Sequence, residues 1–311
     1  MNGILNINKP TGPTSHDVVS RVRRMAHQKR VGHAGTLDPA ASGVLLVCLG
    51  NATRIVEYLV DGRKEYIATA EFGVETDTED ATGSVVSERD ASGLTRADVL
   101  AILPQFRGLI SQIPPMVSAV HHEGKRLYQI AREGRTVERE SRQVEIYSLQ
   151  MLGFTPGAHP TAKLEIECSK GTYIRTLCAD IGKALGCGAH MAGLVRTAIG
   201  CFRETEAHSL ETLETMASED RLFEALISID DALSHMPAVT VSIEDVALIR
   251  NGVKLPITRL LSHDEHHLEL DHPLRIKSSD GELLAIGSLA ENDGETVLKP
   301  EKVFAWSDAG L

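Results

Sequence analysis

The sequence predicts an α+β protein with two parts: a large domain over residues 1–236 and a small C-terminal β-barrel over residues 237–311. Three observations predict it. Strand-like alternation is interleaved with amphipathic helical segments up to residue 236. Pro237 then opens a run of short β-like segments, with turn signals at Asn251-Gly252, Asp280-Gly281 and Asp293-Gly294. The chain has 311 residues and 42% hydrophobic content, enough for one large or two smaller cores.

The elements follow in order. Residues 2–8 alternate as a strand does. Thr14-Ser15 offers an N-cap for a helix to about residue 28, with Val18, Val19, Val22 and Met25 on one face and Arg21, Arg23 and Arg24 on the other. A glycine-punctuated loop covers 32–43, and the apolar run 44–49 has the length of a buried strand. A helix over 52–60 and a strand over 65–72 come next. Helices are expected near 95–103 and 126–132, and strands near 117–121, 144–152 and 162–168. A helix over 172–185 turns Ile174, Leu177, Cys178, Ile181 and Leu185 inward and stops at Gly186. A strand-like stretch over 191–202 leads into an acidic helical region, 204–245.

Composition narrows the function. No apolar run approaches the ~20 residues of a membrane helix, and the N-terminus lacks the basic start and apolar stretch of a signal peptide. A cytoplasmic protein with no membrane contact is expected. The five cysteines, at 48, 168, 178, 187 and 201, include no C-x-x-C pair and read as reduced thiols. No metal is expected. His263, His266, His267 and His272 lie in a polar loop without ligand spacing, and Asp77 to Gly83 departs from a calcium loop in its glycine and at Ala81. The net charge of −11, taken alone, argues against a nucleic-acid partner.

Two segments carry chemistry. In Gly32-His33-Ala34-Gly35-Thr36-Leu37-Asp38-Pro39, the proline biases Asp38 toward extended backbone and restricts where its carboxylate points. A carboxylate fixed beside an apolar strand can act as nucleophile or base, and it can equally be an Asp cap in a turn. In Cys168-Ser169-Lys170-Gly171-Thr172-Tyr173-Ile174-Arg175, Tyr173 and Arg175 fall in the first helical turn. An arginine there opposes the helix dipole. It is either exposed or paired with a carboxylate.

These residues resemble those of the bacterial tRNA pseudouridine synthase B family. The likeness covers nearly the whole chain, from Gly3-Ile4-Leu5-Asn6-Ile7-Asn8-Lys9-Pro10 through the G-H-x-G-T-L-D-P signature, Lys64-Glu65-Tyr66, Ile113-Pro114-Pro115 and Gly124-Lys125-Arg126-Leu127-Tyr128 to the segment 168–176. It implies a mixed, mainly antiparallel sheet flanked by helices, followed by a PUA-like RNA-binding barrel. It also implies isomerisation of uridine-55 in the tRNA T-loop to pseudouridine, by base flipping and without a cofactor. Asp38 is then the catalytic residue, as nucleophile or base. Tyr66 stacks on the flipped base, although core packing alone explains a strand tyrosine. Arg175 pairs with Asp38. Tyr173 and Leu194 line the pocket, His33 lies near the nucleotide backbone, and Asp80 helps hold the extruded uridine. After Pro114-Pro115 the family often shows Tyr and later Lys, where this chain has Met116-Val117-Ser118-Ala119-Val120-His121.

The partner implied is the tRNA T-arm, with no obligatory protein partner. The charge accommodates it: residues 1–203 carry +3 and residues 204–311 carry −14. The RNA face is therefore expected on the first domain, near 21–30, Arg54, Lys64 and 125–142, with the acidic helices turned to solvent elsewhere. A guide-RNA-dependent synthase subunit and a tRNA-folding chaperone are the competing readings. The chain starts at the first motif and ends soon after the barrel, which favours a stand-alone enzyme. A glycosidase would need a second acid facing Asp38, and none is identified.

Overall fold

The computed structural model describes residues 1–304 apart from 119–120, 123, 128–129, 131–132, 136 and 264–268. Strand β1 (Gly3–Lys9) leads to helix α1 (Ser15–Met25). A reciprocal capping box starts that helix: the Thr14 hydroxyl accepts from the Asp17 amide, and the Asp17 carboxylate accepts from the Thr14 amide. Strands β2 (Val31–Ala34) and β3 (Ala41–Leu49) follow, then a 3-10 turn over Gly50–Ile55 that runs into helix α2 (Val56–Val60). Next are β4 (Lys64–Phe72), the hairpin β5 (Val74–Thr76) and β6 (Val85–Glu88), and α3 (Arg96–Ile102). The edge strand β7 (Gly108–Gln112) precedes a two-residue hairpin, β8 (His121–His122) and β9 (Lys125–Arg126). Then come β10 (Arg142–Thr155), β11 (Thr161–Cys168), α4 (Ile174–Ala184), β12 (Ala189–Ile199) and β13 (Phe202–Arg203).

These strands build a mixed sheet in the order β1-β3-β12-β4-β11-β10-β7, with β2 on β3 and β13 on β12. Only the β3–β12 pairing is parallel; the rest of that path is antiparallel. One face packs on α4 through Ile174, Leu177, Cys178 and Ile181. The other takes Val18, Val19 and Val22 of α1 together with Leu210 and Leu213 of α5 (Leu210–Ser218).

After α6 (Ile229–Ala232), residues from 238 onward form a separate six-stranded sheet. Its elements are β14 (Ala238–Val241), α7 (Val246–Arg250), β15 (Leu255–Pro256), β16 (Leu260–His263), β17 (Leu274–Ser278), β18 (Leu283–Asn292) and β19 (Glu295–Val303). The sheet order is β15-β19-β18-β17-β14-β16. Its two edge strands are consecutive in sequence, with only the turn Ile257–Arg259 between them, so the sheet curls into a nearly closed barrel. The two sheets share a core in which Phe304 and Ile286 meet Ala52, Ile55 and Leu59.

Several expectations are corrected. The glycine loop is shorter than 32–43, because β2 and β3 extend into it; β3 begins at Ala41, where Ala41, Ser42 and Gly43 find Leu194, Val195 and Arg196 across the sheet. Residues 204–245 are not all helical. Besides α5 and α6 they hold 3-10 turns at Glu204–Glu206 and Leu222–Ala225, and β14 already starts at Ala238, with Val239 and Val241 buried. Val117 and Ser118 form a bend, residues 119–120 of the strand expected over 117–121 lie outside the described residues, and His121 is strand, in β8. Most of the helix expected over 126–132 lies outside the described residues, as does the centre of the late histidine cluster. The hairpin β5–β6 and the edge strand β7 were not foreseen. The acidic α5 does not face away from the basic helix: Glu214 pairs with Arg21 of α1 at 2.7 Å.

Candidate active site

Residues 35–40 connect β2 to β3 at one end of the large sheet and carry Asp38. The connection is tied down residue by residue. At Leu37, the amide donates to the Ser15 hydroxyl at 2.9 Å, and that hydroxyl donates back to the Leu37 carbonyl at 3.0 Å. At Pro39, the carbonyl accepts from the Gly12 amide at 2.8 Å and from Lys9 Nζ at 3.5 Å. At Gly35 and Thr36, the carbonyls accept from Arg196 Nη2 and Nη1 at 3.1 and 3.2 Å. Gly43 follows at φ +102°, and any side-chain carbon there would collide with the Arg196 backbone, so the close approach of β3 to β12 needs a glycine.

Asp38 faces a cavity of about 420 Å³, within the usual size range of a small-molecule site. Arg175 meets it there, its Nε 2.9 Å from Asp38 Oδ2. The Arg175 guanidinium is buried and also donates to the carbonyls of Thr78 (3.1 Å) and Val117 (2.9 Å), with Asp80 Oδ2 at 3.5 Å from Nη1. Tyr173 is the N-cap of α4 rather than part of its first turn, and Arg175 is the second helical residue. Gln112 at the end of β7 holds that N-cap on both sides: its Oε1 accepts from the Tyr173 amide at 3.0 Å and its Nε2 donates to the Tyr173 carbonyl at 3.2 Å.

Tyr66 and Leu194 supply the apolar wall from adjacent strands β4 and β12. Burial pushes the Tyr66 phenol up from its ordinary pKa, and the nearby Arg196 charge opposes that shift. Two buried lysines flank the site. Burial brings Lys9 down to about 8, with Asp38 opposing, and Lys64 likewise to about 8. Lys64 Nζ donates to the carbonyls of Val60 and Gly62 at 2.7 and 2.8 Å.

Asp38, Tyr66, Tyr173, Arg175 and Leu194 therefore surround one cavity. His33 and Asp80 lie outside its lining. His33 is on β2; burial lowers its pKa, with the His16 and Arg196 charges acting in the same direction, and its buried Nδ1 has no hydrogen-bond partner among the described residues. Asp80 caps its own turn, accepting from the Thr78 hydroxyl and the Thr82 amide at 2.8 and 3.0 Å, and touches Arg175 from behind. The lining also includes residues given no site role from sequence, among them Arg196, Ser118 and Thr36. One available signal was Arg196 itself, a charged residue inside a mostly apolar strand.

The expected basic face is partly consumed by the fold. Arg54 donates to the Val303 carbonyl and lies over Phe304, Lys64 is buried, and Arg23 donates to the Val31 carbonyl. Arg24, Lys29 and Arg142 remain exposed. Chemically, the cavity offers a guanidinium-paired, partly solvated carboxylate against an apolar wall. Among the described residues Asp38 is the only carboxylate lining it, so a two-carboxylate glycosidase geometry is not present there.

Comparison with known proteins bears on what such a site does. Residues 23–174 match the model of the TruB family pseudouridylate synthase N-terminal domain, and residues 175–234 match that of the tRNA pseudouridylate synthase B C-terminal domain. The tRNA pseudouridine synthase B of Pelotomaculum thermopropionicum is 44% identical over 308 residues, 98% of this chain and 95% of the relative. That of Symbiobacterium thermophilum is 51% identical over 253 residues, 81% of this chain and 83% of the relative. The chain belongs to the TruB family of pseudouridylate synthases. Members of this family are isomerases that act on RNA; here Asp38 stands in the β2–β3 connection and Arg175 reaches it from the start of α4. The TruB-type fold is also found in solved ribonucleoproteins. A chain of an H/ACA RNP bound to a substrate RNA containing 2′-deoxyuridine superposes with a TM-score of 0.75 at 26% identity, over 98% of this chain and 86% of that one. A chain of a Cbf5-Nop10-Gar1 complex does so with a TM-score of 0.75 at 28% identity, over 97% and 85%.

Proposed function

We propose that this TruB-family protein converts uridine-55 in the T-loop of tRNA to pseudouridine, acting alone in the cytoplasm, with no guide RNA and no obligatory protein partner. The observation that carries the reading is the Asp38–Arg175 pair at 2.9 Å, at the mouth of a cavity walled by Tyr66. The names of the full-length relatives support tRNA as the substrate. Residues 1–236 act as the catalytic domain, and residues 237–311 as a PUA-like RNA-binding barrel that engages the T-arm.

The reaction breaks the N-glycosidic bond, turns the uracil and joins its C5 to the ribose. It needs no external oxidant or reductant and balances within the nucleotide. The base must first leave its stack to reach Asp38. Arg175 orients Asp38, so that its carboxylate acts as nucleophile at the sugar or as base on it. Tyr66 stacks on the uracil, and Tyr173 and Leu194 close the pocket. His33 lies toward the nucleotide backbone, and Asp80 acts through Arg175.

The test is incubation with an unmodified tRNA transcript, without guide RNA, followed by pseudouridine mapping. Modification at position 55 is expected, and the Asp38→Ala variant is expected to fold, to bind tRNA and to form no pseudouridine. Turnover by Asp38→Ala overturns the catalytic assignment. Modification only when a guide RNA and partner proteins are added favours instead the mode of the H/ACA assemblies whose chains share this fold.

A further inference from the structure

Arg196 is among the largest fully buried side chains in the protein. A buried guanidinium ordinarily carries a carboxylate partner, yet among the described residues Arg196 forms no ion pair. Its donors go to three main-chain carbonyls instead: Nε to Val44 at 2.8 Å, Nη1 to Thr36 at 3.2 Å and Nη2 to Gly35 at 3.1 Å. Two of these carbonyls lie two and three residues before Asp38, and the third lies on β3 just beyond the loop. The planar fork thus spans both sides of the connection that presents the carboxylate. In the pairing of β12 with β4, Arg196 stands opposite Tyr66, so the two side chains share one sheet face, and both line the cavity.

The geometry assigns Arg196 as a positioning residue that fixes the Asp38 loop relative to the Tyr66 wall. The assignment rests on the reading of Asp38 as the catalytic group. Arg175 holds the carboxylate from the tip and Arg196 holds the backbone from below. Neither does the other's work: Arg175 touches Asp38 itself, while Arg196 holds the carbonyls before it and that of Val44 and also interacts with the Tyr66 hydroxyl. A lysine at 196 keeps the charge but offers no planar fork to span three carbonyls.

The experiment measures kcat and KM on a tRNA transcript for wild type, Arg196→Lys, Arg196→Ala and Asp38→Asn, each below its own melting temperature and with the folded fraction measured. Misplacement of a reacting group by about 1 Å costs about 100-fold in rate, so kcat of Arg196→Ala is expected to fall by about that factor, with Arg196→Lys intermediate and KM within about twofold of wild type in both. Millimolar guanidinium is expected to restore part of kcat in Arg196→Ala, and urea at the same concentration is not. A folded Arg196→Lys as fast as wild type overturns the assignment, as does a loss that only tracks the folded fraction. Turnover by Asp38→Asn instead overturns the reading beneath it, which separates the two failures.

Discussion

Arg175 sits at the second position of α4, where a cation meets the positive end of the helix dipole and is also buried. That conflict was legible in the sequence but left an exposed arginine and a carboxylate-paired one both open; the family resemblance named Asp38 as the partner, and the contact itself forms where the chain brings the β2–β3 connection against α4. Tyr66 shows the opposite limit. Alternation along β4 identifies an inward residue, and inward here means both core and cavity wall. Tyr66→Phe separates the two contributions, because the ring stays and the hydroxyl goes. We propose that the Tyr66 phenol also helps remove the C5 proton at the end of the reaction; loss of a proton-transfer group costs about 10²–10⁴-fold in rate, so turnover is expected to fall by about 100-fold at least, with tRNA affinity unchanged in a filter-binding titration. A Tyr66→Phe variant that turns over at the wild-type rate reduces the residue to a stacking surface. Arg196 was passed over because its sequence neighbours are strand-like and its three acceptors are backbone atoms, which no side-chain pattern reports.

At the scale of elements, local rules located most of the helices and strands. The Thr14 and Thr95 capping boxes start α1 and α3 where the sequence said helices would start. The rules faltered where a distant partner decided the length. Ala41 to Gly43 are strand because β12 lies beside them, and β7 exists because β10 offers it an edge. The join between the two sheets is of the same kind. Phe304 is fully buried against the α2 region, Lys302 donates to the Arg54 carbonyl at 2.8 Å and pairs with Glu57, and its ammonium lies 4.8 Å from the centre of the Tyr58 ring. Truncating a buried phenylalanine costs about 3–5 kcal/mol. Phe304→Ala is expected to lower the melting temperature in calorimetry and to speed limited proteolysis between residues 236 and 304, while the Asp38–Arg175 pair is untouched. An unchanged melting curve would show that the two sheets do not stabilise each other.

Across the whole molecule, buried titratable groups set how stability responds to pH. Lys9 and Lys64 fall to about 8 through burial, so the folded state releases their protons before the unfolded state does, and stability rises with pH above about 8. Burial moves Cys48 and Cys178 up to about 12 and Cys168 to about 11, so above their ordinary value near 9 the unfolded state ionises first and stability falls. Melting temperatures measured from pH 7 to 10 are expected to climb between about 8 and 9 and then decline, and Lys9→Met is expected to flatten the climb. A profile that falls steadily from pH 7 would contradict this assignment of charges. Charge also shows how far composition reaches. The division between residues 1–203 and 204–311 could be counted, but α5 uses its acid to hold α1, and Arg54 and Lys64 are drawn into the fold. By itself the sequence determined the α+β class, the order of most elements, the curled C-terminal sheet and the signature loop around Asp38, because periodicity, caps and turn residues act over a few positions. The resemblance carried by the motifs already paired Asp38 with Arg175; only the tertiary structure decided how Arg175 is held there by the Thr78 and Val117 carbonyls, that Asp80 and His33 stand outside the cavity lining, and that Arg196 grips the loop. Those contacts join residues far apart in the chain through backbone carbonyls and strand register, which local patterns do not encode.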